Sequence, residues 1–466
     1  MRHRKLRLGR PANLPRRRSK PAEVDLADIQ GNVLRGYTHR AAAYLFLRIE
    51  DPGRARALLG RILPRVATAE PWQGQGPETP LVLAFTYAGL AALHLPDEVL
   101  RSFPDEFREG MAARADRLGD RGPSAPEHWE TGLGTGEAHV LVRVHAADPA
   151  RLEAAREELR GVGAAGAVTI VHEQRAEALP GGRDHFGFYD GIAQPAVDAS
   201  GVAARPGDGQ PDGAGSWRPV RTGEFLHGYE DEDGGQPAAP APPFHRNGTY
   251  MVYRKLRMDV AAFHRFVDEQ GARYPGGPEL LAAKIVGRWR DGTPLVRSPA
   301  RPDPELASDP DRINAFSYAG DPEGLACPLG SHIRRANPRD TEGFFEGRLS
   351  NRHRIIRRGR AYGPILDPGA TEDDGVDRGL IFVCFNACIW RQFETIQALW
   401  LDDGDPFGLG PDKDFLVGEP DGSGGKMTIQ GNPPFFLAPQ PRFVTMRGGE
   451  YLFQPGIAAL RRLAAG

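Results

Sequence analysis

The sequence has little cysteine and no long apolar run. Only three cysteines occur among 466 residues. Two of them, Cys384 and Cys388, fall in one apolar segment typical of a strand, so we expect buried thiols rather than a disulfide or a zinc site. No segment approaches the roughly 20 apolar residues that a membrane-spanning helix needs. The composition is otherwise that of a globular protein, with 40% hydrophobic and 26% charged residues.

Acidic and basic residues are nearly balanced in number but unevenly distributed. The net charge is −2, yet the first 20 residues contain nine Lys or Arg and no acid. The rest of the chain contains 50 basic and 61 acidic residues. This excess of negative charge argues against nucleic acid as the main ligand. Residues 1–24 are predicted to form a basic disordered arm, with an electrostatic tether as the alternative. No apolar segment follows Arg16–Arg18 as an export signal would require, so we expect a cytoplasmic protein.

One local pattern occurs four times along the chain. An apolar run typical of a strand is followed by a helix start, such as Asp51-Pro52, and by apolar residues at helical spacing. The runs are Tyr44–Glu50, His139–His145, Tyr250–Leu256 and Leu380–Phe385. Two such units per half predict an α+β fold with two ferredoxin-like halves, each an antiparallel sheet with helices on one face. Coincidence is the alternative, because a strand followed by a helix is a common order.

The two predicted halves are separated by a segment rich in Gly, Pro, Asp and Glu. This segment, Asp198–Arg246, is too long for an ordinary connection between elements. We therefore divide the chain into an N-terminal half of residues 25–197, a connecting loop of residues 198–246 and a C-terminal half of residues 247–466.

The stretch Leu325–Arg339 places a single histidine, His332, between a Pro/Gly turn and three arginines, Arg334, Arg335 and Arg339. An imidazole can coordinate a metal, and a guanidinium pairs with a carboxylate through two hydrogen bonds. Haem needs both groups, because it carries an iron at its centre and two propionates at its edge. A loop histidine beside a solvated basic turn is the alternative for this stretch taken alone.

A second motif lies at Asp184–Pro195, where Gly187 and Gly191 flank Asp190. Glycines at these positions let the backbone approach a flat ligand, while the carboxylate points into the space they leave. An Asx-type turn explains this motif equally well when it is taken alone.

Five motifs, in the same order along the chain, resemble those of the dye-decolorising (DyP-type) haem peroxidases. They are Asp28–Leu34, Gly187–Gly191 with the following Ile-Ala-Gln-Pro, Gly223–Gly234, Cys327–Arg339 and Arg354–Pro364. The resemblance covers nearly the whole chain. It implies a fold of the dimeric α+β-barrel type, with haem b held mainly by the C-terminal half.

The resemblance also implies roles for individual residues. His332 matches the axial iron ligand, Asp190 the distal acid/base and Arg357 the distal arginine. Arg357 is chosen over Arg354 and Arg358 because of its distance from the Tyr-Gly-Pro that follows. The residues expected to contact haem are Arg357, Gly191, Ile192, Ala193, Asn337 and Arg339, with Arg339 the better partner for a propionate.

The second N–H of His332 needs a hydrogen-bond acceptor, because a metal-bound imidazole usually donates it to a carboxylate or a carbonyl. Glu394, within Arg391–Gln397, is the candidate acceptor. An exposed helix glutamate is the alternative for that residue.

The implied activity is that of a haem peroxidase, which reduces hydrogen peroxide and oxidises phenolic or dye-like donors in one-electron steps. A non-enzymatic haem-binding or haem-delivery protein is the competing hypothesis. Asp190 and Arg357 together favour the enzyme, because a carrier needs the proximal ligand but no distal acid and cation. The expected partners are hydrogen peroxide and an organic electron donor, without nucleic acid or membrane, and a homo-oligomer is left open.

Overall fold

The computed structural model describes residues 23–72, 74, 76–163, 166–211, 217–341, 347–367, 370, 372–420 and 425–466. The basic arm predicted for residues 1–24 therefore lies outside the described residues, apart from its last two positions. Within the described ranges, no helix is long and apolar enough to span a membrane. All three cysteines are free thiols, and Cys327 and Cys384 are buried.

The N-terminal half begins with a strand and the helix that Asp51 and Pro52 predict. The Asp51 carboxylate accepts the backbone N–H of Arg54 at 2.8 Å, which caps the helix. The strands are β1 (Ala41–Ile49), β2 (Leu81–Phe85), β3 (Val140–Ala146) and β4 (Val168–Glu177). The α-helices are α1 (Pro52–Ile62), α2 (Tyr87–Ala92), α3 (Asp97–Arg101), α4 (Asp105–Glu109), α5 (Ala115–Leu118) and α6 (Pro149–Gly163).

The connecting loop carries a short hairpin, β5 (Gln210–Pro211) with β6 (Trp217–Arg218). The strands that follow are β7 (Thr249–Met258), β8 (Ile356–Arg357), β9 (Arg360–Tyr362), β10 (Gly379–Asn386), β11 (Met427–Ile429), β12 (Phe435–Leu437) and β13 (Val444–Gln454). The helices are α7 (Val260–Gly271), α8 (Gly277–Val286), α9 (Pro304–Ser308), α10 (His332–Ala336), α11 (Arg348–Arg352), the π-helix Trp390–Leu401 and α12 (Ile457–Ala465).

Short 3₁₀ turns complete the secondary structure of the described residues. They are Leu26–Asp28, Leu63–Arg65, Ala112–Arg114, Gly122–Ser124, Pro126–His128, Pro180–Gly182, Thr222–Glu224 and Asp405–Phe407.

The main sheet confirms the predicted α+β fold. Its strand order is β4-β1-β3-β2-β13-β7-β10-β8, with β9 also paired to β10, and its neighbours are antiparallel. Strand β1 lies between β4 and β3, and β7 lies between β13 and β10, so the first strand of each half is next to its last strand, as in the ferredoxin-like order. The halves join where Phe85 of β2 pairs with Phe453 of β13. Strands β4 and β9 contact each other, so the two ends of the sheet approach as in a barrel.

Alternation along the strands divides side chains between two buried layers. On the outer face, Leu45 and Val142 pack with the helices α1 and α12. On the inner face lies a separate core, called here the inner core, which includes Tyr44, Phe46, Tyr253, Ile381 and Val383. Both faces of the sheet are therefore covered, and the strands contribute side chains to the outer layer and to the inner core.

Part of the connecting loop is tied to the C-terminal half by buried ion pairs. Arg391 donates to the Glu224 carboxylate at 2.8 Å and to the Asp231 carboxylate at 3.0 Å. Both acids belong to the motif Gly223–Gly234, so these contacts hold that motif against the π-helix. The boundaries of the two halves at residues 197 and 247 stay a prediction.

The junction between the halves gives a testable expectation. Phe453 is 0% exposed and packs against the rings of Phe103, Phe244 and Tyr250. Phe453→Ala should lower the free energy of unfolding by about 3–5 kcal/mol, because it leaves a cavity where the halves meet. Urea unfolding followed by circular dichroism measures this loss. Phe436→Ala is the control, because that ring in β12 is 55% exposed. Equal losses in the two variants would contradict the importance of this junction.

Candidate active site

A cavity of about 310 Å³ lies between the sheet, α10 and the π-helix. Strand β7 contributes Leu256 and Met258 to its wall, and β10 contributes Leu380 and Phe382. Polar groups reach it from three distant parts of the sequence: the Asp184–Pro195 motif, the stretch that contains His332 and the segment around β8. The cavity thus brings together the residues that the sequence motifs single out.

His332 is the first residue of α10 and is held by a buried carboxylate. Its Nδ1 atom lies 3.1 Å from Oδ2 of Asp414, whose side chain is 0% exposed. The other oxygen of Asp414 accepts the backbone N–H groups of Leu416 and Val417 at 3.0 and 2.9 Å. Because Nδ1 carries the proton toward Asp414, Nε2 of the neutral ring is the nitrogen that can bind a metal.

The His332–Asp414 pair shifts the pKa of both groups. Burial would lower the pKa of His332, but the charge of Asp414 and its hydrogen bond outweigh burial and raise that pKa above its ordinary value. Burial would raise the pKa of Asp414, but the charge and hydrogen bond of His332, together with Arg335, lower it. The pair is therefore electrostatically favourable although it is buried.

Glu394 does not contact His332, so that prediction is wrong. The Glu394 carboxylate accepts hydrogen bonds from Nε and Nη2 of Arg114 at 2.5 and 2.6 Å, and from the Tyr451 hydroxyl at 3.0 Å. It is 2% exposed, so it is not an exposed helix glutamate either. The π-helix directs Phe393 and Ile396 toward the cavity and Glu394 toward the N-terminal half.

Asp414 was missed by the sequence analysis, and no local signal would have found it. It is the last of five aspartates between positions 402 and 414. Its role follows only from the fold, which brings a loop after the π-helix next to α10.

Arg357 lies beside Asp190 in the lining of the same cavity. Its Nη1 atom is 3.4 Å from Oδ1 of Asp190, and its Nη2 donates to the Ala193 carbonyl at 3.3 Å. Its backbone N–H donates to the side chain of Gln194 at 3.0 Å. The pairing of β8 with β10, which sets Arg357 opposite Cys384, fixes this position.

The two competing arginines are directed elsewhere. Arg358 points to the other side of the sheet, where it donates to the carbonyls of Asn32 and Val33. Arg354 also lines the cavity, but it contacts the carbonyl of Asp208 at 3.4 Å. Of the three, Arg357 is the one hydrogen-bonded to Asp190.

The loop around Asp190 depends on its glycines. Gly187 and Gly191 have φ angles of +93° and +80°, a region that side chains disfavour. A Cβ atom at Gly187 would lie 2.8 Å from Nη1 of Arg290. The Asp190 side chain is about half exposed, and Gly191, Ile192 and Ala193 follow it along the cavity wall. A small molecule in the cavity can therefore reach this carboxylate.

One edge of the cavity is rich in buried positive charge. Arg288, Arg339 and Arg354 line it, and no carboxylate of the described residues pairs with any of the three. Burial lowers the pKa of Arg288 to about 9 and that of Arg354 to about 10, and the charge of Arg339 adds to both effects. The Oδ1 atom of Asn337 is buried there without a hydrogen-bond partner among the described residues. The carboxylates of a ligand would neutralise the positive charge of these arginines.

The basic cluster beside His332 is only partly directed to the cavity. Arg339 reaches it and stacks at 3.8 Å on the ring of Phe316. Arg334 instead pairs with Asp321 at 3.1 Å, and Arg335 donates to backbone carbonyls, including that of Trp400. An apolar cavity with an available imidazole nitrogen and a cationic edge fits haem b, which combines an iron with two propionates.

Comparisons with known proteins agree with this geometry. Residues 28–180 match the family model described as DyP dimeric alpha+beta barrel domain, and residues 238–406 match Dyp-type peroxidase, C-terminal. A dye-decolorizing peroxidase of Mycena epipterygia is 30% identical over 485 residues, which cover 95% of this chain and 87% of that protein.

Solved structures are similar over almost the whole chain. An ancestral D-type dye-decolorizing peroxidase has a TM-score of 0.84 and 31% identity, covering 96% of this chain and 100% of that one. A dye-decolorizing peroxidase in complex with 2,6-dimethoxyphenol has a TM-score of 0.82 and 26% identity, covering 95% and 100% of the two chains.

The partner of His332 can be tested by titration of protein prepared without cofactor. Asp414→Asn should lower the pKa of His332, because it removes the charge that raises it and leaves the burial that lowers it. A raised pKa means that the pair stabilises the fold below the ordinary histidine pKa of about 6.5. That stabilisation is lost as the pH rises through the raised pKa. The Asp414→Asn variant should show less of this pH-dependent stabilisation than the wild type.

NMR signals of the His332 ring, followed against pH, measure this shift. Glu394→Gln is the control and should leave the pKa of His332 unchanged, because Glu394 pairs with Arg114 and Tyr451. The opposite pattern in these two variants would show that the proximal partner is Glu394 after all.

Proposed function

The chain belongs to the dye-decolorising peroxidase family of haem enzymes, and from this premise we propose that His332, Asp190 and Arg357 form its catalytic centre. The enzyme is a haem b peroxidase, with hydrogen peroxide as the oxidant and phenolic or dye-like molecules as donors. The observation that carries the proposal is the 3.4 Å contact between Arg357 and Asp190 in a cavity that His332 also lines.

Haem b supplies, when bound, the iron that binds peroxide and the oxidising equivalents that the donor then reduces. His332 would hold the iron through Nε2. Asp414 keeps the Nδ1 proton in place and makes the imidazole a more basic ligand. Arg339 and Asn337, with Arg288 and Arg354 behind them, would hold the propionates.

Asp190 would move the proton that peroxide cleavage requires. Its carboxylate takes a proton from one peroxide oxygen and returns it to the other, acting first as general base and then as general acid. Arg357 stabilises the negative charge that develops on the departing oxygen, because its guanidinium is always charged and is held by the Ala193 carbonyl, while Gln194 accepts the backbone N–H of Arg357. Gly191, Ile192 and Ala193 keep large groups away from this side of the cavity.

Two observations bear on the donor and on the competing hypothesis. The similar protein in complex with 2,6-dimethoxyphenol supports phenols as one donor class. A haem-delivery protein would use His332 and the cationic edge but would have no use for Asp190 beside Arg357. The paired distal groups therefore favour peroxide cleavage over delivery.

Arg357→Leu should slow the reaction of the haem-loaded enzyme with peroxide by roughly 10²–10³-fold, because a fixed charge stabiliser is lost. Stopped-flow absorbance after mixing with peroxide measures that step apart from donor oxidation. Arg354→Leu is the matched control: it should reduce haem affinity and leave the peroxide step of loaded enzyme much less affected. If the two variants exchange these effects, Arg354 is the distal cation.

The pH dependence tests Asp190 as the proton carrier. An ordinary aspartate has a pKa of about 3.9 and a histidine about 6.5, so a carboxylate base works at pH values where a distal histidine would be protonated. Dye oxidation should be fastest in acid, and Asp190→Asn should remove this acidic activity. Steady-state rates from about pH 3 to pH 8 measure it.

Asp268→Asn on the exposed side of α7 is the control and should keep the wild-type profile. If the Asp190→Asn variant kept its dye-oxidation activity at low pH, Asp190 would not be the proton carrier. Peroxide cleavage would then depend on Arg357 and water.

A further inference from the structure

The inner core contains a fully buried arginine whose hydrogen bonds are incomplete. Arg143 on β3 is 2% exposed. Its Nη2 donates to the carbonyl of Arg358 at 3.0 Å, but Nε and Nη1 have no partner among the described residues. Its guanidinium lies 4.8 Å from the centre of the Tyr44 ring. A buried donor without an acceptor is costly, and a buried charge without a counter-charge is more so.

Other polar side chains around Arg143 are also incompletely paired. The Tyr44 and Tyr253 rings lie 5.4 Å apart, and the Tyr37 and His145 rings lie 4.7 Å apart. In the described structure, the hydroxyls of Tyr44 and Tyr253 and both ring nitrogens of His145 have no hydrogen-bond partner. This group of side chains supplies several hydrogen-bond donors and no anionic acceptor.

Two more arginines add positive charge to the same region. Arg358 donates to backbone carbonyls, and Arg360 donates to the carbonyl of Arg40 at 2.9 Å. Among the described residues, no carboxylate lies within 4 Å of a nitrogen of Arg143, Arg358 or Arg360. Burial lowers the pKa of Arg358 to about 10, and the charge of Arg143 adds to the effect.

His145 does not supply the missing negative charge and is itself kept neutral. Burial lowers its pKa well below the ordinary value, and the charges of Arg143, Arg360 and His39 add to this. A neutral imidazole carries one N–H, so His145 contributes a further donor.

Lys255 on β7 provides the contrast within the same sheet. Its ammonium group contacts Glu130 at 2.6 Å and Asp377 at 2.9 Å. The fold thus pairs one buried cation with two carboxylates, as buried charges require. The region around Arg143 lacks this compensation from the described part of the chain.

We propose that the inner core binds a small inorganic anion of the size of chloride beside Arg143, with Tyr44 and His145 as further donors. Such an anion neutralises the buried charge and accepts the free N–H and O–H groups. Tyr44 and Arg143 belong to the N-terminal half, whereas Tyr253, Arg358 and Arg360 belong to the C-terminal half. The anion therefore lies between the two halves, near the contact of Arg143 with the Arg358 carbonyl, on the face of the sheet opposite the haem cavity.

The size limit follows from burial. Tyr44, Tyr253, Arg143 and His145 are all buried, so only a small ion can be accommodated among them without displacing core side chains. Chloride and bromide meet this limit, whereas gluconate does not.

A crystal of the full chain grown in sodium bromide tests the site directly. The expected result is an anomalous scattering peak at hydrogen-bond distance from Nε or Nη1 of Arg143. A peak without anomalous signal at that position, which is water, or an empty position overturns the proposal.

Thermal unfolding tests the same site in solution. An anion that binds only the folded protein raises the midpoint with its concentration. The Tm should therefore rise with the logarithm of the chloride concentration, without a plateau, as chloride replaces gluconate at constant ionic strength. Arg143→Met should abolish this dependence, and Arg56→Met should keep it, because Arg56 donates to the carbonyls of Leu463 and Leu93 instead.

The proposal is contradicted if the Tm of the wild type does not change when chloride replaces gluconate. An unchanged chloride dependence in Arg143→Met contradicts it as well. The bromide crystal of wild type decides the question if Arg143→Met does not fold.

Discussion

The whole structure depends on a single sheet that is buried on both faces. Strand residues alternate between the faces, so β7 sends Leu256 and Met258 to the haem cavity and Tyr253 to the inner core. A shift of one residue in strand pairing would exchange the two sets. The same alternation separates Arg357, which faces Asp190, from Arg358, which faces the opposite side. Strand register thus determines which side chains face the cavity and which face the inner core.

The elements that the sequence predicted are those with strong local signals. The structure of apolar runs such as Leu380–Phe385 and of helix starts such as Asp51-Pro52 can be predicted from the local sequence, because strand burial and helix capping depend on neighbouring residues. The motifs around Asp190 and His332 could also be found, since their glycines and prolines mark unusual backbone. The choice of Arg357 among three nearby arginines rested on its spacing to a fixed turn; of the three it is the one that contacts Asp190, and its role stays a proposal.

The residues that could not be predicted are those whose role depends on distant packing. Asp414 is one aspartate among five in its segment, and only the position of its loop next to α10 makes it the partner of His332. Glu394 was assigned wrongly because nothing in its own segment indicates which residues it contacts. Its real partners, Arg114 and Tyr451, are 280 and 57 residues away, beyond the reach of any local pattern.

The position of β13 has a consequence for how the protein is made. This strand lies between β2 and β7 at the centre of the sheet, yet it is synthesised after every other strand of that sheet. Until it leaves the ribosome, the apolar strand β2 is an open edge, and open edges are sites of intermolecular pairing. The last strand of the sheet to be translated, β13, therefore closes it, and nascent molecules stalled before this strand are the ones most exposed to aggregation.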